Sequence, residues 1–75
     1  MLTLNNLKPN YKAKVKSLLS KDNIRRRLQD IGLVDNTEVM CLFDSPYGGT
    51  KAYLIRGAVI ALREEDASSI LIDCL

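Results

Sequence analysis

The chain has 75 residues, of which 47% are apolar and only 5% aromatic, and its formal net charge is +2. This length predicts one small domain covering residues 1–75, and the regular apolar content argues against a disordered chain. No stretch approaches the roughly 20 apolar residues of a membrane span, and the first residues lack the pattern of a signal peptide. Two cysteines are too few for a disulfide scaffold, so the sequence predicts a cytoplasmic protein.

The charges are distributed unevenly along the chain. Eight basic residues and one acid occur up to Arg27, whereas three basic residues and eight acids follow it. This polarity could orient the protein on an acidic partner, or it could be the mixed surface of an ordinary soluble domain. A net charge of +2 is low for a protein that binds nucleic acid.

The first strong pattern is an alternating one. In the segment KAKVKSLL, residues 12–19, lysines alternate with Ala13 and Val15. A period of two with one apolar side predicts a half-buried strand.

The next segment, residues 21–33, changes to a helical period. Three apolar residues form one stripe: Ile24, Leu28 and Ile31. This spacing predicts a helix that packs its stripe on the sheet. We expect Asp22 or Asn23 to cap its start and Gly32 to end it in the left-handed conformation.

Alternation returns after the helix. Val39, Cys41 and Phe43 are predicted to face inward on one strand, and SPYGGT, residues 45–50, is a turn. Two strands hinged at Arg56-Gly57 follow, with four residues predicted inward: Tyr53, Ile55, Ile60 and Leu62.

The last segments complete the pattern. EEDASS predicts one helical turn, and ILIDCL predicts a final strand with Ile70 and Ile72 inward. Five short strands and one small helix predict a mainly β fold, a small and strongly bent antiparallel barrel. Closing such a sheet would hide its edges.

Several motifs in this order resemble the ferrous iron transport protein A (FeoA) family. The matching residues are Leu4, Leu7, Pro9, Arg26, Arg27, Leu28, Ile31, Gly32, Leu33, Thr37, Glu38, Val39, Pro46, Gly48, Arg56, Gly57, Ala61, Leu62, Arg63, Ala67, Ile70 and Ile72. The resemblance implies an SH3-like barrel without enzymatic activity or cofactor. It also implies a partner, a membrane ferrous iron transporter that carries a GTPase domain.

Two turns depart from the family pattern. Asn10 stands where the family usually has glycine, and Asp35-Asn36 where it usually has Pro-Gly. Asparagine is the usual substitute for glycine in the left-handed region, so we expect both turns to be kept.

Three sets of residues are candidates for partner binding. Arg25 and Arg26 would point to solvent from the helix, either as an electropositive patch or as ordinary solvated charges. Tyr47 could anchor a contact at the tip of the glycine-containing loop, which could also be only a hairpin turn. The third set is the apolar residues predicted to face outward, namely Met40, Leu42, Leu54, Val59, Leu71 and Leu75. They could form a surface for a partner or for self-association.

Other function classes have weaker support. The chain has no histidine, so it lacks the usual Ser/His or Cys/His catalytic pairs and the usual Fe²⁺ ligand. We therefore predict no catalytic, cofactor or metal site. Two alternatives remain open, a small nucleic-acid-binding barrel and a metal-sensing regulatory domain. Basic strands of such barrels can bind RNA, but Tyr11 is the only aromatic residue near the lysines of the first strand.

Overall fold

The computed structural model describes residues 2–44 and 48–74. Its elements in chain order are β1 (Leu2–Thr3), a 3-10 turn (Leu4–Asn6), β2 (Lys12–Leu18), α1 (Asp22–Asp30), β3 (Glu38–Asp44), β4 (Thr50–Ile55), β5 (Ala58–Arg63), α2 (Glu64–Ala67) and β6 (Ile70–Cys74). The strands form one antiparallel sheet in the order β1-β6-β2-β3-β4-β5. The predicted mainly β architecture is confirmed. The sequence pattern missed β1, because two residues are too few to show alternation.

The core lies on the inner side of this sheet. Ala13 and Val15 of β2 are buried as predicted, and so are Ile70 and Ile72 of β6. Among the described residues, Tyr53 of β4 is the largest fully buried side chain. A strand with one buried face reads as an alternating pattern, which is why these positions were recognisable in the sequence.

The N-terminal segment closes one side of the core. The Tyr53 hydroxyl donates a hydrogen bond to the Leu4 carbonyl at 3.2 Å. Lys51 Nζ donates to the carbonyls of Asn5 at 2.6 Å and Leu7 at 3.3 Å. Leu4 and Leu7 themselves are buried. The Lys51 bonds satisfy the carbonyls of Asn5 and Leu7, whereas the Leu4 carbonyl also accepts the Leu7 amide at 3.1 Å.

Helix α1 packs its predicted stripe on the core. Leu28 is buried, and Ile24 and Ile31 are half-buried and pack against the core cluster. The predicted start was wrong, because the capping position is Lys21 and no side chain caps it. Asn23 Oδ1 instead accepts a bond from the neighbouring Ile24 amide at 2.8 Å.

The left-handed turn positions are as expected. Gly32, which follows the helix, has a φ of 106°. Asn10 has a φ of 72° and Asn36 a φ of 69°. Both asparagines therefore adopt the backbone conformation that glycine provides at no steric cost.

The prediction that Phe43 faces inward was wrong. The register of β3 against β4 passes from Cys41 opposite Tyr53 directly to Phe43 opposite Ala52, so β3 contains one extra residue, Leu42. Such a β-bulge reverses the alternation beyond it. Phe43 therefore points away from the core and is 59% exposed.

The expectation that the sheet hides both edges was also wrong. β5 pairs with β4 on one side, and no ladder in the described part of the chain runs along its other side. The fold is barrel-like because the sheet curls around one core. It still presents an open backbone edge at β5.

We expect Leu28→Ala to lower the free energy of unfolding by about 2–5 kcal/mol, because it leaves a cavity where α1 docks on the sheet. Chemical denaturation monitored by circular dichroism measures this difference. Arg26→Ala on the exposed side of the same helix is the matched control and should change stability by no more than about 0.5 kcal/mol. Equal effects of the two substitutions would contradict the docking of this helix.

Candidate docking surface

An apolar row crosses the outer face of the sheet. Met40 of β3 lies directly opposite Leu54 of β4, and Leu54 lies opposite Val59 of β5. Met40 and Leu54 are half-buried, and Val59 is 63% exposed. Cross-strand neighbours on one face have Cβ atoms about 4.5–5.5 Å apart, so the three side chains form a continuous row.

The bulge adds two more apolar side chains to the same face. Phe43 pairs with Ala52 of β4, and Ala52 pairs with Ala61 of β5. Leu42, the extra residue of the bulge, is half-buried. Ala52, which lies beside Phe43, is only 7% exposed. We call Met40, Leu42, Phe43, Leu54 and Val59 the outer apolar face.

Charged residues border the outer apolar face. Lys12 of β2, the next residue across the sheet from Met40, forms an ion pair with Glu38 at 3.6 Å. At the other end of β3, Asp44 pairs with Lys51 at 3.6 Å, but this pair lies on the inner side of the sheet, where Lys51 also bonds the N-terminal segment. An apolar centre with a charged rim is the usual composition of a protein-binding surface.

The three arginines of α1 differ in their contacts with the rest of the protein. Arg25 and Arg26 are exposed, and neither forms an ion pair within the described residues. Arg27, in contrast, donates to Asp66 Oδ2 at 3.3 Å. The lysines of β2 are flanked by acids, since Lys14 lies opposite Glu38 and Asp73 on the neighbouring strands. The basic surface is therefore concentrated on α1.

The candidate Tyr47 lies outside the described residues, as do Leu75 and the start of the loop. The end of that loop is described. Gly48 and Gly49 have φ values of 77° and 76°, so both glycines occupy the left-handed region expected of a turn. The Gly49 carbonyl accepts a hydrogen bond from the Glu64 amide at 2.8 Å.

The chemically reactive groups in the core are shielded. Burial raises the pKa of the Cys41 thiol, and the nearby Lys51 ammonium opposes this only in part. Burial also raises the pKa of the Tyr53 hydroxyl well above its ordinary value, and the Cys41 thiol adds to that effect. Cys74 on β6 is exposed. Within residues 2–44 and 48–74, no three Cys, Asp or Glu side chains lie close enough together to hold a metal ion.

Of the nine residues in the three candidate sets, the structure places four on the outer apolar face: Met40, Leu42, Leu54 and Val59. Leu71 is half-buried on β6, away from this face. Alternation identified Met40 and Leu54, whose neighbours are inward, whereas Leu42 stands at the bulge beside the exposed Phe43. Arg25 and Arg26 lie apart on α1. Sequence reasoning missed Phe43, because a bulge is set by the register of two paired strands and leaves no mark in the alternation of β3 alone.

A curled antiparallel sheet around one core, with a short helix docked on it, defines a small SH3-like barrel. The sequence narrows this class further, since residues 2–74 match the sequence model of the FeoA domain. The chain belongs to the FeoA family.

Solved structures agree with this assignment. The chain is similar to the FeoA protein of Chlorobium tepidum, with 30% identity over 99% of this chain and 70% of the other and a TM-score of 0.92. A FeoA-like protein of Clostridium acetobutylicum has 31% identity over 99% and 86% of the two chains and a TM-score of 0.90. The FeoA of Stenotrophomonas maltophilia, solved in complex with zinc and described as an SH3 domain protein, has 28% identity over 97% and 91% and a TM-score of 0.86.

Two searches gave negative results. No curated protein matches the sequence significantly. No helix among the described residues is long and apolar enough to cross a membrane.

We expect the two thiols to react at very different rates. In the folded protein a disulfide reagent such as Ellman's should titrate Cys74 alone, because a buried thiol with a raised pKa forms little thiolate. Cys41 should react only after denaturation, and Cys74→Ser should leave no fast phase. Rapid reaction of both thiols under native conditions would contradict the burial of Cys41.

Proposed function

We propose that this protein is a non-enzymatic docking module of ferrous iron uptake, which binds the cytoplasmic part of a membrane ferrous iron transporter that carries a GTPase domain. The outer apolar face is the observation that supports docking most directly. Family membership supports the connection to iron, because the FeoA of Stenotrophomonas maltophilia is described in terms of ferrous iron transport activation.

The outer apolar face has the properties required of an interface. Its residues stand on three hydrogen-bonded strands, so their backbone is ordered before binding and only side-chain rotamers lose freedom in the complex. Phe43 and Val59 are more than half exposed, and they gain most from burial by a partner. The Lys12–Glu38 ion pair at the rim stays partly hydrated in the complex, so its contribution to the binding free energy is small.

The arginines of α1 have a separate role in this proposal. Arg25 and Arg26 carry charge without a described partner, so they attract an acidic surface over several ångströms. Exposed charges of this kind mainly accelerate encounter and set orientation. The apolar contacts then determine how long the complex lasts.

Substitution on the outer apolar face tests the docking surface. We expect Phe43→Glu and Val59→Glu each to weaken binding to the isolated cytoplasmic part of the transporter by about tenfold or more, because a charge would be buried without a partner. Isothermal titration calorimetry measures the affinities. Leu19→Glu is the matched control, since Leu19 is also an apolar residue with 60% exposure but lies outside this face. Equal losses in all three variants, or none in the first two, would contradict the proposal.

Salt dependence tests the arginines. We expect the double variant Arg25→Glu, Arg26→Glu to slow association with the transporter at low ionic strength, and the difference should shrink toward 1 M salt as the Debye length falls to about 3 Å. Surface plasmon resonance gives the association rates. The variant Lys14→Glu, Lys16→Glu changes the net charge equally and is the control. Association that is unchanged at low salt would exclude these arginines from orienting the complex.

A further inference from the structure

A groove runs between α1 and the open edge of β5. Arg27, Leu28 and Ile31 line its helix side, and residues 60–63 of β5 line the other side. Its volume is about 340 Å³. Consecutive residues of a strand point to opposite faces, so a wall built from four in a row is the backbone edge of the strand.

The hydrogen bonds of β5 show which backbone groups face this groove. The β4–β5 turn consists of Arg56 and Gly57, with positive φ at both residues. Ile55 and Ala58, which flank the turn, are register partners, and at the far end the Glu64 amide donates to the Gly49 carbonyl. Residues 58, 60, 62 and 64 therefore direct their amides and carbonyls toward β4 or the segment before it.

The residues in between direct their backbone amides and carbonyls away from β4. Val59, Ala61 and Arg63 carry an N–H and a C=O each on the open side of the strand. Among the hydrogen bonds between described residues outside the ladders, none involves Val59 or Ala61. The edge is therefore a ready template for one more strand.

The groove is apolar in its middle, and a positive charge without an ion pair among the described residues stands at one end only, at Arg56. Ile31 of α1 and Ile60 of β5 are half-buried and face the space between the two elements. Arg27 and Arg63 stand at one end, where each also meets an acid, Asp66 and Glu65 respectively. At the other end Arg56 lies over Gly32, so closely that a Cβ at Gly32 would come within 3.1 Å of Arg56 Cδ.

We propose that this edge binds an extended segment of a partner protein by strand addition, a segment with apolar residues at alternate positions and an acidic residue at the flank that meets Arg56. The backbone bonds to Val59 and Ala61 would supply affinity, and the alternate apolar side chains would enter the groove against Ile31 and Ile60. The acidic flank would meet Arg56, which forms no ion pair among the described residues. The inference deepens the proposed docking function and rests on it.

The groove favours a single strand over a whole folded domain. Helix α1 forms the wall opposite β5, and a groove of about 340 Å³ is far too small to hold a folded domain. A strand rises about 3.3 Å per residue, and the six residues of β5 thus offer an edge of roughly 20 Å. A second copy of this chain would have to bring its own sheet and helix into the same space.

A synthetic peptide tests the binding mode directly. The probe is the fluorescein-labelled nonapeptide Asp-Glu-Val-Thr-Val-Thr-Val-Asp-Glu, which has acids at both ends so that either strand direction places one at Arg56. Its control carries lysines in place of the four acids. We expect saturable binding of the acidic peptide, with slower hydrogen exchange at the Val59 and Ala61 amides in ¹⁵N spectra. The affinity of the lysine control should be lower by about tenfold or more. No saturable binding, or protection confined to other amides, would overturn the proposal.

A substitution at the centre of the edge provides the matched variant. Ala61→Pro removes an amide that faces the groove without removing a bond to β4, so the fold should be kept while peptide binding falls by about tenfold or more. Ala61→Ser retains the amide and should bind as the original chain does. Should Ala61→Pro fail to fold, the test is hydrogen exchange of the Val59 and Ala61 amides in the unaltered protein with and without the acidic peptide. Exchange that the peptide does not slow would overturn strand addition.

The same variants separate this inference from the proposed function. Weaker binding of the transporter to Ala61→Pro than to Ala61→Ser would support strand addition. If the transporter binds both variants equally, the docking function stands and strand addition is overturned. If the transporter does not bind the unaltered protein, the docking function itself fails. Self-association that Ala61→Pro abolishes would assign the edge to a second copy and overturn the peptide as its occupant.

Discussion

The burial of Tyr53 sets the arrangement of the rest of the molecule. Its ring is fully buried in the core, and burial of its hydroxyl is compensated by the hydrogen bond that it donates to the Leu4 carbonyl. That bond draws the N-terminal segment over the core, where Lys51 holds two more carbonyls. A small chain has few residues with which to enclose a core, and here one aromatic side chain joins the centre of the sheet to its N-terminal cover.

The consequence for binding is a division between the two sides of the sheet. Inner positions of β3 and β4 are occupied by packing, so on these two strands only the outer positions are available to a partner. Met40 and Leu54 are outer residues by simple alternation. Phe43 joins them because the bulge moves it there, which enlarges the apolar surface at no cost to the core.

The sequence predicted most of the fold and part of the surface. Alternation identified β2, β4, β5 and β6, and the spacing of Ile24, Leu28 and Ile31 identified α1, because one-sided burial imposes a period that can be read directly. The residue-by-residue resemblance added the SH3-like class. What could not be read depends on pairing between strands: the bulge at Leu42, the two-residue strand β1 and the unpaired side of β5. The start of α1 was misplaced because capping residues adjoin one another and only geometry selects among them.

The open side of β5 also bears on solubility. An unpaired strand can recruit copies of itself and grow into fibrils, and natural proteins limit this with charges and with brevity. β5 has both safeguards, since it is six residues long and is bounded by Arg56 before it and by Arg63 and Glu64 at its end. The edge of β5 is thus long enough to pair with a short peptide. It is too short and too highly charged to favour the repeated pairing of copies that builds a fibril.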